Sequence, residues 1–166
     1  MPLLEIVGIT STKKTFAIAF VFMAQESRDH YEWALRRVRY LCYGKIPGVI
    51  ATDRELGLIS ALRVVFPEVK HILCTFHIKS NIISRVSVIL RCKEARAEFM
   101  SQCHALFESR SNESYQRRLL EMRNHWHAYP RLMNYLETTW LTPYKEAVVR
   151  AWCDMSHHFG TRTTNA

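Results

Sequence analysis

No apolar run in the chain approaches the roughly 20 residues that a membrane-spanning helix needs, so no membrane partner is expected. The first ten residues have no basic start, and Lys13-Lys14 interrupts the apolar stretch, so a secretory signal is not expected either. Cysteine is sparse: five residues, an odd number without framework spacing, which suits a reducing compartment rather than a disulfide scaffold. Internal repeats and low-complexity segments are absent as well. Acid is in short supply, with 15 Asp and Glu against 23 Lys and Arg, a net charge of +8. That excess favours a polyanionic partner through phosphate neutralisation and counterion release. It is spread along the chain, so charge alone fits a nucleic-acid binder and a merely basic soluble protein equally well.

What the chain does hold is apolar side chain. Its 166 residues are 48% hydrophobic and 11% aromatic, enough for one globular domain or a large piece of one. Apolar content on that scale can offset the ordering entropy, so disorder is not expected.

The organising stretch runs from Val49 to His77. A short apolar run ends in Asp53, and an amphipathic segment carries Ile59, Leu62 and Phe66 on one face. A second apolar run, Val69 to Phe76, closes with Cys74 and His77. Strand, helix, strand is the unit of a parallel sheet, with Pro67 as the helix stop. A carboxylate at the carboxyl end of the first strand sits where such sheets place ligands.

Before it, Leu3–Thr10 and Thr15–Ala24 read as an antiparallel hairpin closed by Ser11-Thr12-Lys13-Lys14. The second run is apolar on both faces, which predicts cover on both sides. Ser27 should cap a helix from about Arg28 to Cys42, with Tyr31, Ala34, Leu35, Val38 and Leu41 inward and Arg36, Arg37 and Arg39 mostly outward. Gly44, Pro47 and Gly48 punctuate the return to the sheet. After His77 the pattern turns helical: Ile78–Leu90, Lys93–Ser109 (Phe99, Cys103, Leu106 and Phe107 inward), then a stripe of Tyr115, Leu119, Met122 and Trp126. Pro130–Leu141 reads as a further helix. Thr142-Pro143 reads as the start of a separate one, its inner face holding Ala147, Val148, Ala151 and Trp152. The stretch 157–166 is polar and loop-like.

Asp53 is the leading candidate for chemistry. It fits a ligand of a hard divalent cation such as Mg²⁺, and equally the cap of the helix that follows. Cys74-Thr-Phe-His77 has half the ligands of a zinc site with no matching second half, so zinc is disfavoured. A half-buried cysteine and a hydrogen-bonded histidine are the blander reading. Trp33, Trp126, Trp140 and Trp152 sit at helical-face positions, where core packing is the default and base stacking the exception. Arg54, Lys79 and Arg85, with Arg91 beyond, are candidate nucleic-acid contacts or a solvated basic face.

Taken in order, Pro2-Leu-Leu-Glu-Ile-Val-Gly-Ile, Glu26 with Tyr31-Glu-Trp33, Ile50-Ala-Thr-Asp53-Arg-Glu, Val65-Phe-Pro67 and Leu73-Cys74-x-x-His77 with Lys79 and Asn81 resemble the transposase domain of Mutator-like elements. That group includes the domesticated FAR1-related transcription factors of plants. The segment His158-Phe-Gly-Thr-Arg-Thr-Thr-Asn165 also resembles the family's lead-in to its last catalytic acid.

The resemblance implies an α/β, RNase H-like mixed sheet with an all-α insertion in the C-terminal half. It implies three carboxylates holding two Mg²⁺ or Mn²⁺ ions that drive in-line attack on DNA. Asp53 matches the second of the three, and Cys74 with His77 matches the family's Cys-x-x-His motif. The implied partner is terminal-inverted-repeat DNA, with a homo-oligomer allowed, and the implied compartment is the nucleus. The positions expected for the first Asp and the final Glu fall just outside Met1 and Ala166. The expectation is therefore a truncated core over 1–90 lacking its first strand, a helical insertion over 91–156 and a tail over 157–166. Such a piece should show negligible strand transfer or nuclease activity and should expose unpaired strand edges that invite aggregation. The alternatives are a domesticated DNA-binding or transcriptional regulator, and a cytosolic α/β enzyme with an unrelated acid site.

Overall fold

The computed structural model describes residues 1–154, so the polar tail over 157–166 lies outside the described residues. The chain is mixed α/β, mostly helical with small sheets. Its order is β1 (Leu3–Ile9), β2 (Thr15–Phe22), α1 (Arg28–Leu41), β3 (Val49–Thr52), α2 (Leu56–Val65), β4 (Lys70–Leu73) and α3 (Thr75–Ile89). There follow α4 (Lys93–Phe107), α5 (Asn112–His125), α6 (Pro130–Leu136), a π turn over Glu137–Leu141, α7 (Thr142–Val148) and α8 (Arg150–Cys153).

The strand–helix–strand unit forms as its punctuation requires. β3 and β4 pair in parallel from Val49↔Lys70 to Thr52↔Leu73, and α2 stops at Val65, just before Pro67. The second strand is shorter than its apolar run: it ends at Leu73, buried Cys74 directly precedes α3, and Phe76 and His77 lie in that helix's first turn. β1 and β2 form the expected antiparallel hairpin, with a register shift between Ile6 and Val7. Across from Phe16, a Cβ on Gly8 would come within 2.4 Å of the Phe16 ring, so any side chain there would have to displace that exposed ring.

Among the described residues the hairpin and the β3/β4 pair are separate two-stranded sheets. That arrangement overturns the expectation that β2 is covered on both faces. Leu4, Ile6 and Val21 pack on one core, but Phe16, Ile18, Phe20 and Phe22 stay exposed. An apolar sequence reports a preference for burial and cannot supply the second layer.

Two cores meet at α2. Tyr31, Ala34 and Leu35 of α1 pack with Leu58, Ala61 and Leu62 of α2 and with the hairpin. On the other side, Ile59 of α2 and Leu73 of β4 join Ile78, Phe99, Leu106, Tyr115, Trp126, Leu136 and Trp140 in the helical core. The helical half is thus continuous with the βαβ unit through shared side chains. Tyr115, Leu119, Met122 and Trp126 are all buried, and Ser111 starts their helix with a reciprocal Ser111/Ser114 capping box.

Local expectations fail at five residues. Ser27 precedes α1 but caps no backbone amide, because its hydroxyl bonds His30 Nδ1 at 2.7 Å instead. Leu41 and Trp33 are exposed, the latter by 51%. Arg39 turns inward enough to donate to the Val65 carbonyl and pairs with Glu68. Thr142 does not cap a new helix. The chain runs helical from Pro130 to Val148, and the π turn places Thr142 N–H on the Glu137 carbonyl. A proline inside a helix removes one donor and crowds the preceding turn, and a π turn is one way to absorb it without breaking the rod.

Candidate functional site

The carboxyl ends of β3 and β4 lie side by side. The Cys74 amide donates to the Thr52 carbonyl at 2.6 Å, so Asp53 and Cys74 leave the sheet together. Asp53 is exposed at this edge. It does not cap α2: Glu55 does, its carboxylate accepting from the Gly57 amide at 3.0 Å. The structural duty that could have explained an acid at Asp53 is performed two residues later.

The strand end beneath Asp53 is fixed by a short polar chain. Thr52 Oγ1 donates to the Asp53 carbonyl at 2.6 Å, and His71 Nε2 lies 2.8 Å from the same hydroxyl. With the hydroxyl proton committed to the carbonyl, Nε2 is the donor and His71 is neutral. Burial, aided by Arg63 and Lys70, holds His71 down to about 4.

On one side the α1 start abuts the α2 start. A Cβ on Gly57 would sit 3.2 Å from the Arg28 amide nitrogen and 3.3 Å from Tyr31 Cδ2. Tyr31 is buried, and its phenol is pushed up to about 12 by burial first and then by the carboxylates of Glu26, Glu55 and Asp53. It stays protonated at every physiological pH. On the other side the Arg54 guanidinium lies 5.1 Å from the Trp140 ring centre and 6.0 Å from that of Tyr144. The π turn supplies Trp140, so the helical half reaches the residue next to Asp53.

The edge therefore gathers Asp53, Arg54, Cys74 and His77. Cys74 is fully buried, more so than the half-buried expectation, whereas His77 is half-buried and meets Phe76 edge-on at 5.5 Å. Lys79 is exposed two residues further along α3. Arg85 stands apart, its guanidinium 5.9 Å from the Tyr135 ring centre, and Arg91 lies beyond the helix. Glu55, Tyr31 and Trp140 were not singled out as site residues from sequence. The signal for Glu55 was there, an acid one residue before a helix start.

Among the described residues no three His, Cys, Asp or Glu side chains converge to hold a metal ion. A hard carboxylate such as Asp53 suits Mg²⁺, but one carboxylate does not complete a centre. Cys74 and His77 are likewise only two of the four ligands that a structural zinc takes.

Residues 1–81 match the family profile described as the MULE transposase domain. Through that segment, just under half of its length, the chain is similar to the MULE transposase domain. The MULE match contains Asp53, Arg54, Cys74, His77 and Lys79, and stops short of Arg85 and the helical half. Among curated proteins the chain is similar to three from Arabidopsis thaliana. Protein FAR1-RELATED SEQUENCE 2 is 25% identical over 122 residues, 74% of this chain and 15% of that protein. Protein FAR-RED IMPAIRED RESPONSE 1 is 22% identical over 122 residues, 74% of this chain and 14% of that protein. Putative protein FAR1-RELATED SEQUENCE 10 is 31% identical over 100 residues, 59% of this chain and 15% of that protein. The chain thus spans only a small part of the length of these relatives.

Proposed function

We propose that this MULE-derived chain engages DNA, and that Asp53 is its cation-facing carboxylate beside the polynucleotide. In this reading the front half is RNase H-like, with the hairpin and the β3–α2–β4 unit as two pieces of that architecture and the helices as an insertion. The observation that carries the proposal is the placement of Asp53: exposed at a parallel-sheet edge, with Glu55 doing the capping. The basic balance of the chain supports a DNA partner. The described residues do not assemble a two-metal centre, so the reading is binding without turnover, closer to a domesticated regulator than to an active transposase. A nuclear location and self-association belong to the same proposal.

The test is direct. The purified chain is incubated with end-labelled duplex DNA and Mg²⁺ or Mn²⁺, beside Asp53→Asn. Binding should weaken steeply with salt, and no cleavage should appear with either protein. Cleavage that depends on Asp53 overturns the absence of turnover, and a lack of salt-dependent binding overturns the DNA reading.

A further inference from the structure

The outer face of α1 is not an ordinary solvated face. Its inner row is Tyr31, Ala34, Leu35 and Val38, all buried. On the opposite row, at the i, i+3, i+4 and i+7 spacing of one helix side, stand Trp33, Arg36, Arg37 and Tyr40. Trp33 is 51% exposed and Tyr40 79%. Just past the helix end Tyr43, 91% exposed, and Lys45 are also open to solvent. Two arginines are interleaved with the aromatic rings. Arg36 is held by Glu32 at 2.7 Å, while Arg37 makes no ion pair among the described residues. Asp29 lies at the N-terminal end of the row, where the α1 start meets that of α2, and Glu32 flanks the row beside Arg36.

We infer that this face of α1 is a binding track for single-stranded nucleic acid, with unpaired bases on Trp33 and Tyr40 and phosphates on Arg37 and Lys45. Aromatic faces alternating with cations are what strand-tracking surfaces combine, since every base offers a π-face and every linkage a charge. Duplex DNA hides its base faces and could use only the cations. Trp33 and Tyr40 are seven residues apart, ~10 Å along a helix rising 1.5 Å per residue. At ~3.4 Å per stacked nucleotide that distance spans about three nucleotides. The near end of the track lies beside the α2 start, which leads back to Asp53.

The inference rests on the DNA-engaging reading above, and the test separates the two. Fluorescence anisotropy is measured with a labelled 20-nucleotide poly-dT strand and with a duplex of equal length. The proteins are the full chain, Trp33→Ala, Trp33→Phe, Tyr40→Ala and Arg37→Ala. All four substitutions are at exposed positions, so the fold should persist, and matching melts check this. Trp33→Ala and Tyr40→Ala should each weaken binding to the single strand about tenfold and change duplex binding less than about twofold. Trp33→Phe should recover most of the loss. Arg37→Ala should weaken both and lower the salt slope by about one phosphate contact. If the chain binds duplex but not the single strand, or if the aromatic variants bind the strand like the parent, the inference is overturned while the DNA reading stands. If it binds neither nucleic acid, both fall. A concentration-dependent dimer abolished by Trp33→Ala, with strand binding unchanged, would assign the face to a second copy and also overturn it.

Discussion

Trp140→Ala should cost the chain about 3–5 kcal/mol, the range for truncating a large buried aromatic. Trp140 is 1% exposed in the helical core, its indole N–H donates to the Tyr135 hydroxyl at 3.1 Å, and its face carries Arg54. Alanine removes the packing, takes the indole donor from the Tyr135 hydroxyl, which keeps its bond to the Asn81 carbonyl, and releases the guanidinium. Small domains have only about 5–15 kcal/mol in hand, so the variant should be marginal or unfolded. Urea melts of parent and variant measure the loss. Trp140→Phe keeps the ring and should cost clearly less. A loss below about 1 kcal/mol for the alanine variant would mean that the π turn does not tie the helical half to the sheet.

The second large effect is acid lability from His71. Its value in the fold, about 4, is below the ordinary 6.5. The unfolded chain therefore binds the extra proton between those two values. Stability is complete above the ordinary value and declines as pH falls through the window toward the folded value. Linkage gives a loss of about 2 kcal/mol between pH ~7.5 and pH ~5. Arg39-bound Glu68 and Arg123-bound Glu137 are held below the usual carboxylate range, so their contributions fade mainly at lower pH. Melts across this range, beside His71→Gln, make the check. The substitution should flatten the profile above pH ~5, and an unchanged slope would show that His71 is not the titrating group.

Much of this architecture was legible because its signals are local. Asp53, Pro67 and the apolar runs around them specify strand, helix and strand by chain chemistry alone. Tyr115, Leu119, Met122 and Trp126 mark a buried face by spacing alone. What stayed hidden depended on what lies across from a residue. Phe16, Ile18, Phe20 and Phe22 read as a strand covered on both faces, but among the described residues no second layer meets them. Thr142-Pro143 has the chemistry of a helix start, and a π turn carries the helix through it. Trp33 sits at a helical-face position like Trp126, yet only the packing of α1 against α2 decides which face turns out. At the site, Asp53 reads from sequence as a cation ligand or as the cap of α2, whereas the cap is Glu55. Only the hydrogen bond from Gly57 separates them.

That separation is the centre of the account, and a paired melt tests it. Asp53→Asn and Glu55→Ala are compared with the parent by urea denaturation. Glu55→Ala should lose about 1 kcal/mol as the α2 cap goes, whereas Asp53→Asn should stay within about 0.5 kcal/mol of the parent. If Asp53→Asn proves the more destabilised of the two, the carboxylate at the sheet edge is a structural prop, and its assignment to cations and DNA is wrong.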